Sequence, residues 1–254
     1  YYLVQFHPSY DYTDFVEGLR PINKEENKDI SFVLQDGVFK RLCVSALRNP
    51  NKKYVMIIDE INRGEISKIF GELFFSIDHG YRGKKGKVLT QYANMQNNPN
   101  EFDLSLNIEE SEDYGHFFVP ENVYIIGTMN DIDRSVESMD FAFRRRFAFK
   151  EIKAMDRVEM LDELPQNGIA INRMKNLNKA IESIEGLSTA YHIGPAYFLK
   201  LKNYNGNFQQ LWENHLDGLL REYLRGMQKL EEKLKTLKAA YDNESDSDNG
   251  QQQE

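Results

Sequence analysis

The 254-residue sequence has one cysteine, Cys43. A lone thiol forms no intrachain disulfide and no multi-cysteine zinc centre, so the chain must be held by a packed core. Cys43 falls on the apolar positions of a helical pattern and is expected inside that core, as suits a reducing compartment such as the cytoplasm. No apolar run reaches the roughly 18 residues that cross a bilayer, which excludes a membrane-spanning helix. The opening residues, Tyr1 to His7, have neither the basic start nor the apolar stretch of a signal peptide. They also lack a starting Met and read as a strand entered midway, so a piece of a longer protein is expected. His7, His79, His116, His192 and His215 show no metal-ligand spacing among themselves or with Cys43, which argues against zinc. A basic excess is missing as well: 32 Lys and Arg face 40 Asp and Glu, for a net charge of -8. Five of those acids lie in residues 242–254, which hold no base, so the rest of the chain carries only -3. No overall basic footprint for nucleic acid is left. Lys84, Lys85 and Lys87 form a local run, read as an exposed loop or as a contact for DNA or a partner.

What is present is an ordinary globular composition, 41% hydrophobic and 28% charged. Leu3 to His7 reads as a short strand, and Asp11 as the cap of a short helix through Phe15 and Val16 that ends near Gly18 and Pro21. Residues 23–29 read as a charged loop. Val38, Phe39, Leu42, Cys43, Ala46 and Leu47 have helical spacing, stopped by Asn49-Pro50-Asn51. Tyr54–Ile58 and Val123–Met129 are continuous apolar runs, expected as parallel strands buried on both faces. Between them, Ile66, Ile69, Phe70, Leu73, Phe74 and Ile77 predict one amphipathic helix. Residues 80–117 read as a polar insertion, exposed and mobile, with a hairpin near Val88 to Tyr92. Phe141 to Arg146 reads as a short helix and Phe147 to Ile152 as a returning strand. From residue 153 the pattern is helical, and residues 242–254 are acidic and expected to be disordered. Strands alternating with helices imply an α/β parallel sheet over residues 1–152, followed by a smaller helical domain over 153–241. Trp212, Leu216, Leu219, Leu220, Tyr223 and Leu224 form a helical stripe within it, and residues 226–241 read as a solvated helix that packs on a partner or on nothing.

Three groups carry chemistry. Asp59-Glu60 stand at the carboxyl end of the strand Tyr54–Ile58, where open α/β sheets bind ligands. Adjacent acids there suit phosphoryl transfer, one holding magnesium through water and the next orienting and deprotonating the attacking water. A strand leaving into a charged surface turn accounts for them equally. Asn130, at the end of the strand Val123–Met129, reads either as an amide that bonds the attacking water or as a turn cap. Asp133 reads as a supporting acid or a helix cap. Arg144-Arg145-Arg146, between Phe143 and Phe147, read as arginine fingers from a neighbouring subunit, as a solvated basic turn, or as a patch for DNA phosphates.

The order of these groups is that of an AAA+ nucleotidase, and the residues resemble the McrB family. Asp59-Glu60-Ile61-Asn62-Arg63 followed by Ile69-Phe70-Gly71-Glu72-Leu73 resembles its Walker B block. Val119 to Asn130 resembles its sensor-one strand, and Asn130-Asp131-Ile132-Asp133-Arg134-Ser135 its signature motif, from which Asp131 and Ile132 depart. Phe141 to Phe147 resembles its arginine-finger block, and Val4 to Pro21 the segment after its Walker A helix. The resemblance runs from about residue 3 to about residue 226. It implies an AAA+ P-loop-type parallel sheet flanked by helices, with an all-helical lid. It also implies magnesium held by Asp59, water activated by Glu60 and positioned by Asn130 with Asp133, and nucleotide contacts from Asn62 and Arg63. Arg145 and Arg146 would act across a subunit interface, with Arg144 the weaker candidate. GTP, or else ATP, would be hydrolysed in a homo-oligomeric, hexameric ring that works with a McrC-like nuclease. DNA would be engaged through that partner or through a separate N-terminal domain.

Two departures stand out. In His192-Ile193-Gly194-Pro195-Ala196-Tyr197-Phe198, Pro195 and Ala196 replace the polar pair of the family's sensor-two region. The sequence also holds no Gly-x-x-x-x-Gly-Lys-Ser/Thr, the phosphate-binding loop that the family carries just upstream; Gly83 to Lys87 is too short. The chain by itself is therefore expected to be inactive. A non-hydrolysing assembly module, a DNA-binding module and an ATPase remodelling a protein partner are the alternatives.

Overall fold

In the computed structural model, residues 1–23, 30–95, 116–130 and 141–245 are described. The chain divides into two compact units, Tyr1–Ala148 and Phe149–Glu254. The first opens with β1 (Tyr2–Gln5) and a one-turn helix, α1 (Tyr12–Phe15). Asp11 caps α1, its carboxylate accepting from the N–H groups of Thr13 and Asp14 that have no partner within the turn. An antiparallel hairpin follows, β2 (Glu17–Asn23) and β3 (Ile30–Asp36), paired from Glu17 with Asp36 to Asn23 with Ile30. The sequence suggested only a helix end and a charged loop here. The hairpin stands in solvent, with Ile30, Phe32 and Val33 exposed, so it lacks the in–out alternation by which a half-buried strand is recognised.

An ionic cluster fixes the base of the hairpin to α2 (Val38–Leu47). Lys40 Nζ donates to Glu17 Oε2 at 2.5 Å and lies 2.7 Å from Asp36 Oδ1, with Glu17 fully buried. Burial alone would depress the Lys40 amine; its bonds to Asp36 and Glu17 outweigh that and raise its pKa above the ordinary lysine value.

β4 (Tyr54–Asp59) leads through a 3-10 turn (Ile61–Arg63) into α3 (Ile66–Phe70) and α4 (Leu73–Ser76). The single helix expected over residues 66–77 is thus two. Gly71 breaks it with φ 51 and ψ -133, yet Ile66, Ile69, Phe70, Leu73 and Ile77 are all still buried. A short strand, β5 (Val88–Leu89), pairs antiparallel with β6 (His116–Phe117). The insertion is therefore closed at its base by its two ends, instead of forming a local hairpin near Val88 to Tyr92. β7 (Val123–Gly127) and α5 (Phe141–Arg144) complete the unit.

β1, β4 and β7 form one parallel sheet with β4 in the middle. Gln5 is in register with Asp59, and Ile58 with Gly127, so all three carboxyl ends share one edge. Met56, Ile58 and Val123 are buried in one core with Phe39 and Leu42 of α2 and Ile69 and Phe70 of α3. The Phe15 ring lies 4.8 Å from both the Phe39 and the Phe70 ring. Each such ring contributes about 1.5–3 kcal/mol by leaving water. The opposite face departs from the two-sided burial that the apolar runs predict: Leu3, Tyr124 and Ile126 are 62%, 46% and 52% exposed. The helices described in this unit place their buried residues in the core of the first face.

Phe147 to Ile152 is not a strand; it pairs with none of the described strands, and Phe149 and Ile152 are exposed. The second unit contains α6 (Asn167–Glu182), α7 (Pro195–Phe198), α8 (Phe208–Leu211), a π-helical turn (Trp212–Leu216), α9 (Asp217–Tyr223) and α10 (Leu230–Asp242). Leu234, Leu237 and Tyr241 of α10 join the core made by Met174, Leu177 and Ile181 of α6. The helix read as solvated thus has its own packing partner. Just past α10, Asn176 Nδ2 donates to the carbonyls of Asn243 and Ser245, each at 2.9 Å, and Arg173 pairs with Asp242 and Glu244; residues 246–254 lie outside the described residues. Among the described residues, no helix is long and apolar enough to cross a membrane.

Candidate active site

The central strand delivers Asp59 to the carboxyl edge of the sheet, between the ends of β1 and β7. Both neighbours bond its carboxylate. Thr128, just past β7, donates its hydroxyl to Asp59 Oδ1 at 2.6 Å, and Gln5 Nε2 of β1 donates to Oδ2 at 3.3 Å.

Glu60 follows in the left-handed region, φ 53 and ψ 46. A side chain bearing Cβ reaches that region at a cost of order 1–3 kcal/mol, and such residues gather at functional sites. Three contacts hold it there. Its N–H points to Thr128 Oγ1 at 3.4 Å; the next N–H, of Ile61, donates to the Thr128 carbonyl at 2.9 Å; and Arg63 Nε lies 3.1 Å from Glu60 Oε2. The turn presses on β7 so closely that a Cβ on Gly127 would sit 2.8 Å from Ile61 Cδ1. Glycine at 127 therefore lets the two strand ends meet.

Asn62 Nδ2 donates to the Asn130 carbonyl at 3.4 Å, while its Oδ1 is buried with no partner among the described residues. Asp59, Glu60, Asn62, Arg63 and Asn130 are thus gathered at one strand edge. Asp133 lies outside the described residues. Arg145 and Arg146 form the turn that follows α5. Arg146 donates to the Ala142 carbonyl and holds its guanidinium 4.3 Å from the centre of the Phe74 ring on α4. Arg145 is exposed, and its guanidinium bonds none of the described residues. Sequence reasoning passed over Thr128 and Gln5. Thr128 was visible only as the residue two before Asn130, and Gln5 acquires meaning from its register with Asp59.

In the second unit, Pro195 occupies the first turn of α7, where a missing N–H costs nothing. Ile193 and Phe198 are buried, and Asn178 holds the backbone of Ile193 through both its amide groups, at 3.0 and 2.7 Å. This segment is built as core.

A family model described as "AAA domain (dynein-related subfamily)" matches residues 1–147. The chain belongs to the AAA family. Its sheet with flanking helices is the AAA domain, and a second model, "McrB, alpha-helical lid domain", matches residues 170–231 of the unit that follows. The AAA chain is of the McrB type. It is 36% identical over 205 residues to the "Type IV methyl-directed restriction enzyme EcoKMcrB subunit" of Escherichia coli (strain K12), covering 77% of this chain and 40% of that protein. It is 27% identical over 170 residues to the "Type II restriction enzyme BsuMI component YdiS" of Bacillus subtilis (strain 168), covering 59% of this chain and 47% of that protein. The chain spans less than half the length of either relative.

Proposed function

We propose that the chain is the catalytic part of a nucleoside-triphosphatase motor in a McrBC-like restriction system. It hydrolyses GTP, or ATP, to drive DNA translocation with a McrC-like nuclease, within a hexameric ring. The observation that carries this reading is the joining of two strand ends: Asp59, the last residue of β4, and Glu60 after it are bonded to Thr128, just past β7 and two residues before Asn130. The preference for GTP rests on the family resemblance alone.

The donor set fits magnesium, a hard cation that keeps several waters and is held by one or two carboxylates. Asp59 would hold it through water. Magnesium, when bound, supplies charge neutralisation at the phosphate oxygens. Glu60 takes the proton of the attacking water. Asn130, with Asp133 beside it in sequence, positions that water, and the Oδ1 of Asn62 offers a further acceptor. Arg145 is the finger toward a neighbouring subunit, because it is exposed and its guanidinium bonds none of the described residues. Arg146 is spent on holding α5 against α4. Retention of the Asp59-Glu60 pair speaks against a non-hydrolysing assembly module, which needs neither acid.

The sequence holds no phosphate-binding loop, so these 254 residues alone should neither hydrolyse nor tightly bind GTP or ATP. In the full-length protein, with such a loop joined to this chain, Glu60→Gln should cut magnesium-dependent phosphate release at least 100-fold while nucleotide still binds. Full activity in Glu60→Gln would overturn the assignment of the base.

A further inference from the structure

We infer that Thr128 is a positioning residue that sets both acids of the site through one hydroxyl; the inference rests on the reading of Asp59 and Glu60 given above. A hydroxyl can donate one hydrogen bond and accept others. That of Thr128 donates to Asp59 Oδ1 at 2.6 Å and faces the Glu60 N–H at 3.4 Å. It therefore touches the side chain of one acid and the backbone of the next. The backbone of Thr128 braces the same turn, its N–H donating to the Ile58 carbonyl and its carbonyl accepting from Ile61 N–H, both at 2.9 Å.

Two consequences follow from this geometry. The carboxylate of Asp59 is oriented before any cation arrives, because Thr128 and Gln5 each take one of its oxygens from opposite sides. The lone pairs that these two bonds leave free are those through which Asp59 would hold magnesium by way of water. The second consequence concerns Glu60, which stands at φ 53, a conformation that persists only where its surroundings impose it. The Thr128 hydroxyl is one of the groups that do so. Removing it releases the Asp59 carboxylate and slackens the Glu60 turn together, without touching any residue that grips the nucleotide.

The experiment compares Thr128→Val, which keeps the shape and loses the hydroxyl, with Thr128→Ser, which restores it, and with Thr128→Ala, in the full-length protein. Three quantities are read: the Kd of Mn2+, by electron paramagnetic resonance with a non-hydrolysable GTP analogue present; the Kd of a fluorescent GTP analogue in EDTA; and kcat. Thr128→Val and Thr128→Ala should weaken Mn2+ binding and lower kcat by about 10-fold each, the scale of one charge-assisted hydrogen bond. The Kd in EDTA should not move, and Thr128→Ser should recover most of both losses. Should Thr128→Val fail to fold, Thr128→Ala and Thr128→Ser carry the comparison. Unchanged Mn2+ affinity and kcat in Thr128→Val and Thr128→Ala would overturn the inference while leaving the assignment of Glu60 intact. Equal losses in Thr128→Ser and Thr128→Val would also overturn it, because they would show a packing role. Full turnover in Glu60→Gln would instead remove the reading on which the inference stands.

Discussion

The guanidinium of Arg146 lies over the Phe74 ring, while that of Arg145, one residue earlier, is exposed. Their sequence context is the same, Arg between Arg and Arg or Phe, and nothing in it separates them. The separation comes from the turn after α5, where Arg146 reaches back to the Ala142 carbonyl and over the Phe74 ring of α4. Arg146→Ala would remove a cation–π contact worth about 0.5–2 kcal/mol and a hydrogen bond to Ala142. It should therefore lower the melting temperature by several degrees. Arg145→Ala should leave the melting temperature within a degree and abolish hydrolysis by the assembled protein. Calorimetry and phosphate release on the two variants measure both effects. The reverse pattern would exchange their roles. The pair Asp59-Glu60 is a different case at this scale: its place at a strand end was legible, because an apolar run followed by two acids is visible in any single sequence. That Thr128 and Gln5 clamp the first acid was not legible, since register is a property of pairing and not of either strand.

At the level of elements, the break between α3 and α4 shows how a correct period can hide a wrong boundary. The apolar positions from Ile66 to Ile77 keep helical spacing and all face the core. Gly71 nevertheless has φ 51, and a Cβ there would come within 2.9 Å of the Tyr12 ring. The break lets Glu72 accept from the Tyr12 hydroxyl at 2.5 Å and from the Gln91 N–H at 3.2 Å. Through these bonds, α1 and the segment at Gln91 are tied to α4, which follows β4 in the chain. Burial, together with the neighbouring Glu72 carboxylate, raises the Tyr12 phenol well above its ordinary pKa, so it remains a donor across the working pH range. Gly71→Ala should destabilise the first unit by about 1–3 kcal/mol, through backbone strain and the Tyr12 contact. Urea denaturation of the variant and its parent measures this. No loss would show that the turn accepts a side chain.

At the scale of the whole molecule, hydrolysis is proposed to need two chains, one giving Asp59 and Glu60, the other giving Arg145. Inactive Glu60→Gln subunits mixed with inactive Arg145→Ala subunits should then regain activity. A random mixture places an intact Glu60 beside an intact Arg145 at some interfaces, so turnover should peak near equal ratios. Phosphate release that stays at background across all ratios would count against a trans role for Arg145.

The sequence by itself determined the parallel-sheet class followed by a helical lid, and the family, and it showed two acids and an amide standing at the ends of two strands. Hydrophobic period and strand-end polarity are local properties, and they survive in a single chain. The tertiary structure alone decided which residues meet. It set Thr128 and Gln5 on Asp59, turned Arg146 inward and left Arg145 outward. It broke the helix at Gly71 and packed α10 on α6. Each of these depends on register, on a backbone angle or on a neighbour far along the chain, and such quantities arise only when distant segments are brought together.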